Sequence, residues 1–435
     1  MITMWLKRIC LWGALFSALG GSPARAQQQA LTLDDCVRLA LGAPSSVQAI
    51  DREQAVARER QTAARSEMLP QFSLNAGYVY NSPLRNGPNR FSFVALNGLR
   101  EYLTTADASW TPDLSGRLRA GLAVARAVRD IAIADLEIAR RDLRRAVAMA
   151  YYDLLLARRL VVLEETSLDE VRAFERRVRA RQQQGEASRA DLLKASAQRS
   201  QFERRLSRAR LDARLANQVL ASFWTHDADR DLTVADVLDA PPAPPAETLE
   251  QGSGEATAAL ERRPELERFA AVGRSLDAQR NIARASLKPQ VDVVFRYGLD
   301  ANQVRGDQRG YAAYVNLNIP VFDWFRTRSQ VRAVRFQREQ VDFERASAER
   351  AFTREYLAAR SSVQSSQERI SMAESEFSDA RENLRLVRLL YHSGEGSALD
   401  VVLSQEQVTM AGGGFYAALA EYHRARADYE AAAGR

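Results

Sequence analysis

The sequence predicts a mainly α-helical, two-fold duplicated chain of long coiled-coil helices with four β-strands set between them. Three observations carry this reading. A tip motif and a strand motif each recur about 200 residues later, in the same order. Two stretches nearly free of Pro and Gly are far longer than the helices of a compact domain. Segments with an apolar period of two lie between segments with a helical period.

The duplication is read from two matches. Gly185-Glu186-Ala187-Ser188-Arg189-Ala190-Asp191 and Gly394-Glu395-Gly396-Ser397-Ala398-Leu399-Asp400 share Gly-Glu-x-Ser-x-x-Asp at an offset of 209. Leu69-Pro70-Gln71-Phe72 followed by Gly77-Tyr78 echoes Lys288-Pro289-Gln290-Val291 followed by Tyr297-Gly298, here offset by 219. The ten-residue difference fits a shorter loop in the second half.

Taken in order, residues 1–26 read as a secretory signal peptide. Lys7 and Arg8 precede an apolar run to Gly20, and Ala24-Arg25-Ala26 supplies small residues for cleavage after Ala26. No Cys stands at that point, so no lipid anchor is expected. Residues 27–223 form the first repeat. A helical pattern over 32–68 contains only Pro44 as a breaker, and Pro70 closes it. From Gln71 the period becomes two, with Phe72, Leu74, Ala76, Tyr78 and Tyr80 on one face. A loop over 81–98 and a second strand over 99–111 follow. Residues 116–184 lack Pro, which predicts a helix of roughly 100 Å at 1.5 Å per residue. Gly185 turns the chain into a helix over 189–223. Residues 224–252, with Pro241, Pro242, Pro244 and Pro245, read as a linker or small irregular element. Residues 253–435 repeat the layout: helix 254–287, strands 289–300 and 310–320, long helix 326–392, a turn at Gly394 and helix 398–432.

Heptad spacing supports coiled-coil seams. Phe377, Ala380, Leu384, Val387 and Tyr391 follow a 3,4 alternation, as do Phe202, Leu206, Ala209, Ala213, Ala216 and Leu220. Gly412-Gly413-Gly414 is unexpected inside a helix.

Composition excludes several classes. The formal net charge of +6 falls to +3 once Lys7, Arg8 and Arg25 leave with the first 26 residues. Acids and bases are interspersed, which is not a nucleic-acid footprint. The mature chain keeps one Cys, Cys36, so it has no internal disulfide. His226, His392 and His423 lie far apart in sequence, and no zinc spacing, phosphate loop or nucleophile elbow occurs. Neither an enzyme nor a cofactor is expected.

Each strand has the length that crosses a bilayer when tilted. Four strands from one chain cannot close a barrel, and an open edge is intolerable in lipid. Membrane strands would therefore require oligomerisation, and three copies give 12 strands. Trp110, Tyr78, Tyr80, Tyr311 and Tyr314 are candidates for an interfacial aromatic girdle.

The residues over about 31–430 resemble the TolC family of outer-membrane efflux proteins. Leu31-Thr32-Leu33-Asp34-Asp35-Cys36-Val37 is similar to the family's opening, with Cys36 where Ala is usual. Leu69-Pro70-Gln71-Phe72, Ser109-Trp110 with Asp113-Leu114-Ser115-Gly116-Arg117, Arg262-Arg263-Pro264-Glu265-Leu266 and Ile319-Pro320-Val321-Phe322-Asp323 resemble further family motifs. The doubled Gly-x-x-Ser-x-x-Asp hairpin is the most specific.

This resemblance implies a homotrimer whose 12-stranded β-barrel in the outer membrane continues as an α-helical barrel through the periplasm. It implies docking on a periplasmic adaptor protein and an inner-membrane pump of RND or ABC type, with outer-membrane lipid around the barrel. Small-molecule efflux is the favoured branch and a duct for type I protein secretion the alternative. A non-pore periplasmic coiled-coil scaffold is the competing class. Gly185, Glu186, Ser188, Gly394, Glu395 and Ser397 correspond to tips that meet the adaptor. Locally, the glycines read as helix C-caps and the serines as N-caps with Asp191 and Asp400 three residues on. By resemblance, Asp400 would ring the tunnel entrance, and Tyr391 would latch to Asp191. Leu403 replaces a second acidic ring, and Gly396 replaces a basic residue of the closed tip.

Overall fold

A computed structural model describes residues 30–84, 87–91, 100–238 and 253–435. The signal-peptide reading of 1–26 and the four linker prolines fall outside those residues. The first half runs α1 (Leu33–Gly42), α2 (Ser46–Ser66), β1 (Gln71–Tyr80), β2 (Pro83–Leu84), β3 (Gly87–Phe91), β4 (Arg100–Trp110), α3 (Arg117–Gln183) and α4 (Arg189–Ala221). The second runs α5 (Ser253–Glu261), α6 (Pro264–Ala285), β5 (Gln290–Ala301), β6 (Arg309–Asn318), α7 (Arg326–Ser393) and α8 (Ala398–Ala432).

Both helices that lead into the strands are broken where a single helix was expected. Thr32 caps α1 in a reciprocal box with Asp35, and α1 stops at Ala43, which is extended because Pro44 follows it. Pro264 occupies the first turn of α6, where its missing N–H costs nothing, and separates it from α5. The loop expected over 81–98 contains the short antiparallel pair β2–β3.

α3 and α7 have 67 and 68 residues, so each extends about 100 Å. They pair with α4 and α8 to form two helical hairpins. The largest apolar cluster lies midway along them. Cys36 and Ala40 of α1, Val147, Tyr151, Leu154 and Leu155 of α3, and Leu419 and Tyr422 of α8 meet there. The segment after α4 packs into this cluster through Leu232 and Leu238. Leu31 bridges Val234, and the Tyr151 hydroxyl donates to the Ala235 carbonyl at 2.6 Å. The described part of the expected linker is thus a packed element. Burial pushes the Cys36 thiol up to about 11, leaving it an unreactive core residue.

A second fixed point explains Arg263-Pro264-Glu265. The almost fully buried Arg263 donates Nε to the Ala432 carbonyl at 3.0 Å, pairs with Glu355 at 3.1 Å and lies over the Phe352 ring. Glu265 binds Arg141 of α3 at 2.7 Å. This polar network ties the start of α6 to α3, α7 and the end of α8. Gly412 also has a packing reason. A Cβ there would lie 2.9 Å from the Phe377 ring and 3.1 Å from a Leu163 methyl, so α8 approaches α7 and α3 only without one. Nothing in the structure explains Gly414.

Candidate functional site

The four long strands form one antiparallel sheet in the order β1-β4-β5-β6. The hairpin of the first half therefore joins that of the second through β4–β5, from Tyr102↔Ala301 to Trp110↔Val293. Gly298 permits this pairing, because a Cβ there would sit 2.0 Å from the Thr104 carbonyl oxygen.

The register sorts the side chains into two contrasting faces. One carries Phe72, Leu74, Ala76 and Tyr78 on β1, opposite Ala108, Ala106, Thr104 and Tyr102 on β4. Val293, Phe295, Tyr297 and Leu299 of β5, paired with Val315, Ala313, Tyr311 and Arg309 of β6, continue this largely apolar face. It is exposed: Phe72 retains 81% of its accessible surface and Tyr311 77%. The opposite face carries Asn75, Asp107 and Arg296. Arg296 donates two hydrogen bonds to Asp107, at 2.7 and 2.9 Å, and Asn75 donates to the same carboxylate at 3.0 Å. Aromatic residues stand toward both ends of the apolar face, Trp110 at the helix end and Tyr78, Tyr80 and Tyr311 toward the other. Tyr314 departs from the expected girdle. It lies on the polar face, with the Arg296 guanidinium 5.8 Å from its ring centre.

At the far end of the long helices, the two hairpin tips are built alike. Gly185 and Gly394 adopt φ of 81° and 85°, and the next residue's N–H reaches back five positions, Glu186 to Arg181 O at 2.9 Å and Glu395 to Leu390 O at 3.0 Å. Both are Schellman closures of a helix C-terminus. Ser188 and Ser397 then cap α4 and α8, their Oγ atoms accepting from Asp191 N at 3.0 Å and Asp400 N at 3.2 Å. Asp400 completes a reciprocal box by accepting from Ser397 N at 3.2 Å.

Residues 36–226 and 256–435 match the outer membrane efflux protein family. The chain belongs to that family. It is 28% identical over 319 residues to Protein CyaE of Bordetella pertussis, covering 70% of this chain and 64% of that relative's length. Its fold is similar to the CmeC outer membrane channel of Campylobacter jejuni, with a TM-score of 0.80, 16% identity, and 92% and 85% of the two chains covered. The open state of the MtrE outer membrane channel of Neisseria gonorrhoeae gives 0.78, 20%, 92% and 88%. At these identities the structural likeness establishes the fold.

In this efflux-family chain, the predicted tip residues gather at two neighbouring hairpin ends. Phe174, Val178 and Ala195 from the first tip pack with Leu384, Tyr391, Ala398 and Val401 from the second. Among the described residues, Tyr391 and Asp191 make no hydrogen bond with each other. Asp191 accepts from Ser188 Oγ at 2.7 Å and lies 3.7 Å from Lys194. The Tyr391 ring stacks edge-on against Phe174, and the Arg181 guanidinium lies 5.1 Å from its centre.

Sequence reasoning missed Arg181. It donates to the Tyr391 carbonyl at 3.0 Å, which also accepts from Gly394 N at 3.4 Å, and so joins the two tips at the end of α7. A basic residue in a helix's last turn is a visible signal, but its target lies 210 positions away. It also missed the Asp107–Arg296–Asn75 group, because only the strand register brings residues from both halves together.

Proposed function

We propose that the chain is the outer-membrane subunit of a tripartite export system, conducting substrates passively from an inner-membrane pump and periplasmic adaptor to the exterior. The sheet carries this reading. It has one apolar and one polar face, and four strands whose two outer edges have no partner within the chain among the described residues. In lipid such edges must be paired, and three copies, β6 against the next β1, make a closed 12-stranded barrel. The apolar face then meets lipid, and the Asp107–Arg296 pair faces the lumen. Among the described residues no helix is long and apolar enough to cross a membrane.

The long helices continue the duct through the periplasm, and the signal peptide directs export. The tips, with Gly185, Glu186, Ser188, Gly394, Glu395 and Ser397, receive the adaptor. Asp400, exposed at the start of α8, lines the periplasmic entrance, where three copies favour cations. Tyr391 and Asp191 make no hydrogen bond with each other in this structure, so a Tyr391–Asp191 latch belongs to another tip conformation. Small molecules are the favoured cargo.

The test is planar-bilayer recording of the detergent-extracted oligomer. Discrete conductance steps with cation preference are expected, and Asp400→Ala should reduce that preference. A protein that never gives steps is not a duct. Unchanged selectivity in Asp400→Ala removes that residue from the entrance.

A further inference from the structure

The two long helices that leave the sheet have different surroundings. α3 packs against both α2 and α6, whereas α7 packs against α6 and the short α5. The other flank of α7 carries an exposed stripe, Ser329, Ala333, Phe336, Gln340, Phe343 and Ser347, spaced 4,3,4,3,4 as in a coiled-coil seam. Phe336 retains 63% of its accessible surface and Phe343 76%. Both lie toward the sheet end of α7, far from the tips; Phe336 is about 15 Å from the start of the helix.

The repeat shows what such a flank meets. At the offset of 209, Phe336 and Phe343 correspond to Ala127 and Ala134 of α3, both buried. Ala127, Asp130 and Ala134 share one face of α3. Asp130 binds Arg274 of α6 at 3.2 Å, and Asp135, next to Ala134, binds Arg268 of α6 at 2.7 Å. In the first half, α6 therefore lies antiparallel over this face. Carried over by the offsets of 209 and 219, Asp130–Arg274 becomes Glu339–Ala55, and Asp135–Arg268 becomes Glu344–Ala49. Both arginines are alanines on α2, and the residues alongside are Val56 and Phe343. Ala49, Val56 and Ala63 form an exposed row at every seventh position of α2. The ionic seam within the chain thus has an apolar counterpart, with large side chains on α7 and small ones on α2.

Connectivity brings the two faces together. α2 leads into β1, and β6 leads into α7. β1 and β6 are the two edges of the sheet. Pairing β6 with β1 of the next copy lays α7 beside that copy's α2.

We propose that the α7 stripe of one copy seats on α2 of the next, with Phe336 set against Val56 and Phe343 against Ala49 of that copy. This apolar joint would lock the helical wall below the sheet, and it rests on the proposed oligomeric channel.

The test places Phe343→Cys and Ala49→Cys together in the full-length chain and treats the detergent-extracted protein with a short thiol-specific bismaleimide. The native Cys36 is fully buried and adds little background. Covalent dimers and trimers on a denaturing gel are expected, and neither single variant should give them. In otherwise native chains, Phe336→Asp should lose most of the oligomer that survives mild heating, and Phe336→Leu, which stays apolar, should keep it. An intact oligomer without intermolecular cross-links overturns the proposal and leaves the channel reading standing. So does a Phe336→Asp oligomer as heat-resistant as the parent. A parent chain that is monomeric in detergent overturns both.

Discussion

The two halves of the chain perform the same turns with different residues. At the tips, the first half has Ala187 where the second has Gly396. A Cβ on Gly396 would come within 2.8 Å of the Tyr391 amide nitrogen, because Gly396 N–H also reaches the Leu390 carbonyl, at 2.9 Å. At the junction between strands and long helices, Asp113 and Asp323 each accept from a backbone N–H in the next helix, Leu118 at 3.0 Å and Thr327 at 2.9 Å. The residue before each helix is left-handed in both halves. It is Gly116 with φ 79° in the first and Phe325 with φ 64° in the second, where Trp324 is also left-handed at 55°. What the repeat preserves is a backbone path and its polar caps. The residue that follows the path is free to change where the surroundings leave space or tolerate strain.

The largest test of this comparison is at the strands. Gly298→Val should abolish assembled oligomer in the outer-membrane fraction, because the Cβ strikes the β4 backbone. Gly77→Ala should assemble normally, since its Cβ meets only the Leu103 side chain, at 3.7 Å. At the tips, Gly396→Ala should destabilise the second hairpin by about 1–3 kcal/mol through overpacking. Hydrogen exchange at the amides of residues 390–400 would read that loss, while Ala187→Gly should change the first tip's exchange far less.

The junctions give smaller effects. Phe325→Gly removes a left-handed side chain at a cost in unfolded-chain entropy, and should stabilise the oligomer by up to about 1 kcal/mol, read as a raised thermal midpoint. Backbone and side-chain donors hold both aspartates below the usual carboxylate range. For Asp113 burial is the largest single effect and pushes up, but the N–H groups of Arg119 and Leu118 together with the Arg119 guanidinium outweigh it, and for Asp323 the hydroxyl and N–H of Thr327 dominate. A lowered folded pKa gives stability that is present above about pH 4 and lost as pH falls through the folded values. The double variant Asp113→Asn, Asp323→Asn should therefore melt below the parent at pH 7, and the gap should close as pH falls through the lowered folded values.

Much of this was readable from the chain because the signals are local. Pro, Gly and apolar period set the long helices and four long strands to within a few residues, and Gly185 and Gly394 mark their own turns. The packed segment through Leu232 and Leu238 was not readable, since its partners lie on α1, α3 and α8. The same holds for the Arg263 network, for Arg181 and for the Asp107–Arg296 pair, whose members are far apart in sequence. Pro44 was visible but its effect was underestimated, because the pattern on either side remains helical. Gly412 needed the position of Phe377 on another helix before its small size made sense.

In the proposed assembly, copies of this chain close a sheet into a barrel and continue it as a hollow helical tunnel. Single-particle electron microscopy of the detergent-extracted protein tests it most directly. The account predicts a threefold hollow cylinder longer than about 100 Å, the length demanded by α3 and α7. A detergent-independent monomer, or a solid rod without a channel, would contradict it.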